Sequence, residues 1–374
     1  MTIVCPYRWN YVVIDLQHEK TNTCCKTDTE YANLNFDDAF LNNETQFQRR
    51  QEMIDGYKHS ACSQCWKVED NNGISWRLAA AQIPEEINSR QGVVSNYIDT
   101  LELILGNTCD MKCIYCSRHF STQWAIDDLK NKRIDKQEYK TLTKDLSTEF
   151  MDYFWNWFDQ KKDIIKHLQI KGGEPTIMPD FYKILDKVID TDIKLFIVTN
   201  LNTPKKQFDV FLEKVKTVSK EKQFGINISM DTVGEHAERI RQGLSWNRFE
   251  SNLHKLYELA SVNKNIQINF ITTMSTENLE THHMFIDYAF NLYKKYNTIT
   301  YLNFNHVDWP NHLNPYNEEN SVTVYLDKSI EKLETFIPQI TDQSMLQRWK
   351  QYYEYTKDLK KIIDNNDKEV YNKI

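Results

Sequence analysis

The stretch 101–116 reads LELILGNTCDMKCIYC, a strand-like apolar run from Leu101 to Gly106 that leads directly into Cys109, Cys113 and Cys116. Three thiols at this spacing on one loop can converge on a single soft metal centre. A zinc site would normally be closed by a fourth Cys or His. His119 is close by, but its spacing from Cys116 is awkward for joining the same tetrahedron. Three cysteines on a cubane leave one iron open, which is what a cluster needs if it must bind and reduce a substrate. The spacing therefore favours a chemically active cluster over structural zinc.

The chain around this loop has 374 residues and eight cysteines, at positions 5, 24, 25, 62, 65, 109, 113 and 116. A core using Cys as a small apolar filler would scatter them, yet the remaining two thirds of the chain has none. With 46 Lys and Arg against 53 Asp and Glu, the formal net charge of -7 argues against a general polyanion binder such as a nucleic-acid protein. Residues 1–20 lack the continuous apolar region of a signal peptide. No stretch reaches the roughly 20 apolar residues of a membrane helix. These features predict a soluble, cytoplasmic protein, and in that reducing compartment cysteines read as metal ligands or catalytic groups.

Residues 1–95 are irregular and polar, with a strand-like run at Tyr11 to Leu16, and a metal there would supply missing stabilisation. From about residue 96 strand-like runs recur at Leu101–Gly106, His167–Lys171, Lys194–Thr199, Gly225–Met230, Ile266–Thr272 and Thr300–Asn305. Segments of helical period separate them, and this alternation reads as βαβ units around a parallel sheet. Beyond Asn311 the chain turns helical, polar and rich in Lys and Glu, which predicts a surface helix or two without assignable chemistry. The expected division is 1–95, 96–310 and 311–374.

The second strand runs into Gly172-Gly173-Glu174-Pro175. Two glycines let a ligand approach the backbone, and a carboxylate there can hold an ammonium group. Following the three-cysteine loop by one βα unit, this motif makes the chain resemble the radical S-adenosylmethionine (SAM) superfamily. Cys109, Cys113 and Cys116, with Tyr115 before the last Cys, match its cluster motif. Gly172, Gly173 and Glu174 match the segment that grips the methionine amino group of SAM. Ser229-Met-Asp231 and Arg241-Gln-Gly243 are similar to the fourth-strand region of peptide-modifying members, where a Ser and an Arg contact the SAM ribose or carboxylate. Asn269 is a further ribose candidate. The resemblance spans residues 96–310. It implies an α/β fold with a partial (β/α)6 barrel, a [4Fe–4S] cluster with SAM at its open iron, and cleavage to a 5′-deoxyadenosyl radical. It also implies a low-potential electron donor such as flavodoxin or ferredoxin. On a strand of period two, Asn227, Ser229 and Asp231 share the face expected to form the barrel interior.

The other five cysteines resemble the twitch module, a shortened relative of the SPASM auxiliary-cluster domain, here placed before the barrel. The resemblance implies a second [4Fe–4S] cluster on Cys5, Cys62, Cys65 and one of Cys24 and Cys25, with Cys24 taken as the ligand. A structural zinc knuckle is the competing reading. Trp155 and Trp157, with Phe154 and Phe158, read as a helix packed on the barrel. The His282–His283 pair reads as a solvated helix position, and His306 and Asp308 as candidates for contact with substrate at the barrel mouth. The expected function is hydrogen abstraction from a peptide or protein. The alternatives are the same chemistry on a small molecule, and a non-catalytic iron–sulfur or zinc protein.

Overall fold

The computed structural model describes residues 3–24, 27, 32–33, 44–70, 75–79, 98–317 and 323–364. Its strands, in chain order, are β1 (Tyr11–Asp15), β2 (Lys20–Asn22), β3 (Ala32–Asn33), β4 (Ile98–Ile104), β5 (Lys112–Cys113), β6 (Ile165–Lys171), β7 (Lys194–Thr199), β8 (Phe224–Ser229), β9 (Arg241–Gln242), β10 (Ile266–Met274) and β11 (Thr300–His306). The six strands expected from the sequence are β4, β6, β7, β8, β10 and β11. They lie side by side in that order, every neighbouring pair parallel. Parallel neighbours demand crossover connections, and helices such as Pro179–Lys187, Lys205–Val218 and Trp246–Val262 supply them.

Alternation along each strand sorts the side chains into two faces. Leu101 and Leu103, Leu168 and Ile170, Leu195 and Ile197, Ile226 and Ile228, and Ile268 and Phe270 are fully buried in the apolar core under the helices. The helices present matching stripes. Helix Pro179–Lys187 starts with Pro in its first turn and buries Phe181, Ile184 and Leu185, the i, i+3, i+4 face. Helix Thr148–Lys161, capped by Ser147, buries Phe154, Trp155, Trp157 and Phe158, as expected. The opposite face of the sheet bounds a cavity of about 1300 Å³ lined by residues from β1, β4, β6, β7, β8, β10 and β11. One cavity touching all these strands requires the sheet to curl around it. β11 pairs only with β10, so among the described residues the sheet is open at that edge.

Two parts of the chain fall elsewhere than expected. The N-terminal segment contributes β1 parallel to β4, with Val13 opposite Glu102, and β2 and β3 extend that edge antiparallel. The sheet thus continues across the expected division at residue 95. The run at Tyr11–Asp15 is buried throughout, so pairing with β4 satisfies backbone groups that burial would otherwise leave unpaired. The C-terminal helices Thr323–Phe336 and Gln343–Asp364 are not surface appendages. Trp349 is fully buried and its Nε1 donates to the Thr300 carbonyl at 2.9 Å, which clamps the last helix against β11. His282, expected to be solvated, is fully buried between Ser329 (3.0 Å) and Tyr352 (2.7 Å) of these helices. Burial pushes its pKa down to about 3, so it stays neutral. The Lys- and Glu-rich composition of the tail concealed one apolar stripe per helix. No helix of the described residues is long and apolar enough to cross a membrane.

Candidate active site

The loop after β4 is built so that its backbone is spent on the protein and its thiols face the cavity. Gly173 N–H donates to the Gly106 carbonyl and Glu174 N–H to the Thr108 carbonyl, both at 2.8 Å, so the Gly-Gly-Glu segment is zipped onto the cysteine loop. A methyl group on Gly173 would stand 2.2 Å from the Thr108 oxygen, and Gly172 has φ of +153°, a region L side chains rarely adopt. The glycines thus serve the approach of the loop itself, where the sequence suggested the approach of a ligand. Thr122 N–H donates to the Asn107 carbonyl, Trp124 Nε1 to the Cys113 carbonyl at 2.8 Å, and Cys113 pairs with Arg241 across β5 and β9. Asp110 accepts from the amides of Asn200 and Asn202, each at 2.8 Å, which ties the loop to the end of β7.

Cys109, Cys113 and Cys116 all line the cavity. Burial pushes the Cys113 thiol up to about 12, against the opposing pull of Arg241, and raises Cys109 and Cys116 as well. Metal binding would have to displace those protons. Among the described residues no fourth Cys and no His lines this cavity. Three soft donors with an open side fit an iron–sulfur cluster better than a closed four-ligand zinc site.

Glu174 is fully buried and well held. Its Oε1 accepts from Thr176 N–H (3.1 Å), Thr176 Oγ1 (2.6 Å) and Thr199 Oγ1 (2.7 Å), and its Oε2 from Asn200 N–H (2.6 Å). Burial still raises it to about 7, so a cation placed on Oε2 would be welcome. Tyr115 donates to Asp231 at 2.6 Å, and Arg241 forks onto both oxygens of Asp231 at 2.9 and 3.1 Å, with its guanidinium 5.6 Å from the Tyr115 ring centre. Arg241 Nη1 stands 4.0 Å from the Cys113 sulfur. This pair is buried, unlike the surface salt bridge that the residue types alone would suggest. Ser229, Asn227 and Asn269 line the cavity as expected, the last two joined at 2.8 Å, whereas Asp231 lies beyond β8 in the Arg241 pair.

Sequence reasoning missed several groups here. Asp110, Asn200 and Asn202 position the loop; two amides just past a parallel strand, at the end where Gly172–Glu174 follow the previous one, were the available signal. Lys171 reaches Glu102 at 2.9 Å on the cavity floor, and Tyr11 of β1 donates to the same carboxylate at 2.5 Å. The far wall comes from β11 and the last helix, through Tyr301, Asn303, Gln347, Arg348, Gln351 and Tyr355. His306 pairs with Asp308 at 3.1 Å and neither lines the cavity. Trp309 is 71% exposed, and the side chain of Trp76 lies outside the described residues.

A second, smaller pocket gathers Cys5, Cys24, Cys62 and Cys65 with Arg8 and Arg77. Cys25 lies outside the described residues. Arg8, fully buried, donates to the Cys62 sulfur and to Thr23 Oγ1, each at 3.3 Å. Arg50 is buried behind it and bonds the Arg8 carbonyl; burial and the Arg8 charge push Arg50 down to about 10. Arg77 pairs with Glu69 and stacks over Trp66 at 5.0 Å. Burial, reinforced by Cys65 and Cys62, pushes Cys5 up to about 12. Among the described residues no three His, Cys, Asp or Glu side chains are gathered tightly enough to hold a single metal ion.

The chain is 26% identical over 140 residues to a GTP 3′,8-cyclase of Campylobacter lari, a match covering 37% of this chain and only 36% of that protein. Among solved structures it is similar to anSMEcpe with bound AdoMet (17% identity, 64% of this chain and 62% of that one, TM-score 0.40). It is also similar to Streptococcus suis SuiB (15% identity, 85% and 66%, TM-score 0.44). The model of the Radical SAM superfamily matches residues 103–289, half of the chain, with the three cysteines, Gly172 to Glu174 and Arg241 inside it, and the chain belongs to that superfamily.

Proposed function

We propose that this protein is a radical SAM enzyme that abstracts hydrogen from a peptide or protein substrate and carries a second iron–sulfur cluster on Cys5, Cys24, Cys62 and Cys65. The observation that carries this reading is the single cavity of about 1300 Å³ reaching from the three thiols to the wall built by β11 and the last helix. Ligand pockets are commonly about 300–1,000 Å³, so this one has room for SAM and for part of a second molecule. Gln169, Asn227, Gln267, Asn269, Asn303, Asn305, Gln347 and Gln351 line it, and carboxamides pair well with peptide groups.

When bound, the cluster and SAM would supply a 5′-deoxyadenosyl radical, with the electron coming from a donor of the flavodoxin or ferredoxin class. The chain's own residues hold and orient. Cys109, Cys113 and Cys116 would hold the cluster, Glu174 Oε2 would accept the ammonium of SAM, and Ser229, Asn227 and Asn269 would offer hydrogen bonds to its ribose. Arg241, fixed by Asp231, would offer positive charge beside Cys113. Tyr301, Tyr355 and the last helix would exclude water from the radical.

A small-molecule substrate is the second reading, favoured by the curated relative being a GTP cyclase. Against a triphosphate stands the lining. Its cations are Lys171, Arg241 and Arg348, and the first two are already paired with Glu102 and Asp231. Anaerobic reconstitution tests the proposal: about eight iron per chain and release of 5′-deoxyadenosine from SAM with dithionite are expected. Incubation with peptides and with GTP then separates the substrate classes by mass shift. One zinc per cysteine site and no cleavage would overturn it.

A further inference from the structure

The two cysteine sites differ in the charge buried beside them. At the four-cysteine pocket the Arg8 guanidinium donates to the Cys62 sulfur at 3.3 Å. Arg8, Arg50 and Arg77, the last paired with Glu69, are all buried beside this pocket, where solvent screens little. Around the three-cysteine loop stand the carboxylates of Asp110, next to Cys109 in the chain, and of Glu174, which lines the same cavity. There the one guanidinium, Arg241, is matched by Asp231 and stays 4.0 Å from Cys113. Net charge nearby and hydrogen bonds to sulfur are the levers by which a protein sets the potential of an iron–sulfur centre. Reduction adds an electron, so buried positive charge and N–H···S contacts raise the potential, and carboxylates lower it.

We infer that Arg8 is a positioning residue that raises the reduction potential of the centre held by Cys5, Cys24, Cys62 and Cys65 above that of the Cys109–Cys113–Cys116 centre. The four-cysteine site is then the electron acceptor of the pair. This rests on the reading of that pocket as an iron–sulfur site. Arg8 contributes a charge held in place by Thr23 from one side and by Arg50, through its carbonyl, from below.

The test is an anaerobic redox titration of the fully loaded protein, following the electron paramagnetic resonance signals of both reduced centres. Cys62→Ala and Cys113→Ala identify which signal is which. The four-cysteine centre should titrate at the higher potential. Arg8→Met should lower that midpoint enough to change its reduced-to-oxidised ratio at least tenfold at a fixed potential, about 59 mV for a one-electron couple. The other midpoint should not move, and Arg8→Lys, which keeps charge but loses the fork, should fall between. Equal potentials for the two centres, or an unmoved midpoint in a fully loaded Arg8→Met protein, would overturn the inference. So would loss of the outer iron alone in both Arg8 variants, which would make Arg8 an assembly residue. Zinc in the pocket of the unaltered protein is a separate outcome, read by metal analysis, that removes the underlying reading itself.

Discussion

The two cysteine sites of this protein are assembled in contrasting ways. The three-cysteine loop is local: its cysteines fall within eight residues, and it is pinned by the ends of β6 and β7 through Gly173, Glu174 and Asp110. The four-cysteine pocket is non-local. Its cysteines come from the segment before β1, the segment after β2 and the turn around Ser60–Cys62 and helix Ser63–Asp70, with buried arginines beside them. A local site inherits its geometry from backbone hydrogen bonds, whereas a non-local one depends on packing and on whatever metal it holds. The first should tolerate damage to the second far better than to its own loop.

The largest test removes one cysteine from each. Cys113→Ala should abolish SAM cleavage while leaving iron at the outer pocket, and Cys62→Ala should lose about half the iron yet keep uncoupled cleavage. Product release followed by chromatography, with iron analysis, reads both, and equal activity in the two variants would erase the distinction. Next in size, Asp231→Asn strands the buried Arg241 guanidinium. Breaking a buried pair in this way costs about 3–5 kcal/mol, measurable by denaturant unfolding. An unchanged midpoint would mean that the pair is not what holds β9 against the loop.

Gly173→Ala drives a methyl into the Thr108 carbonyl and should cost about 2–3 kcal/mol. It should also lose inner but not outer iron, which sharpens the contrast between a backbone-held site and a packing-held one. The smallest effect concerns pH. His282 is held at about 3 when folded, from an ordinary value of 6.5, so between those values the unfolded chain binds the extra proton. Stability is therefore complete above about pH 6.5 and falls below it, by up to about 1.4 kcal/mol per pH unit for this one group. Urea unfolding at pH 5 to 8 should show that slope, and His282→Gln should remove it. Because His282 anchors the helix bearing Tyr352, mild acid should loosen the wall of the inner cavity before the outer pocket.

The difference between local and non-local also explains what was legible beforehand. Cys109, Cys113, Cys116 and the Gly172–Glu174 segment stand out because short spacing is itself geometry. The six core strands were readable from alternating and β-branched runs, each within a few residues of its observed limits. Asp110 with Asn200 and Asn202 was not, since an Asp in a loop carries no sign of an amide partner ninety residues away. Trp349 was hidden in a polar tail because burial of a single stripe leaves its composition charged, and the burial of His282 was hidden because the side chains that cover it, Ser329 and Tyr352, come from that same tail.

By itself, then, the sequence determined the inner motif, the alternation of strands and helices and the family, because these are encoded by spacings shorter than one βα unit. Only the tertiary structure decided that β1 joins the sheet and that the C-terminal helices wall the cavity. It alone placed Cys5, Cys24, Cys62 and Cys65 around one pocket with Arg8 reaching into it. Those outcomes depend on which distant faces bury against each other, and burial is a property of the folded chain as a whole.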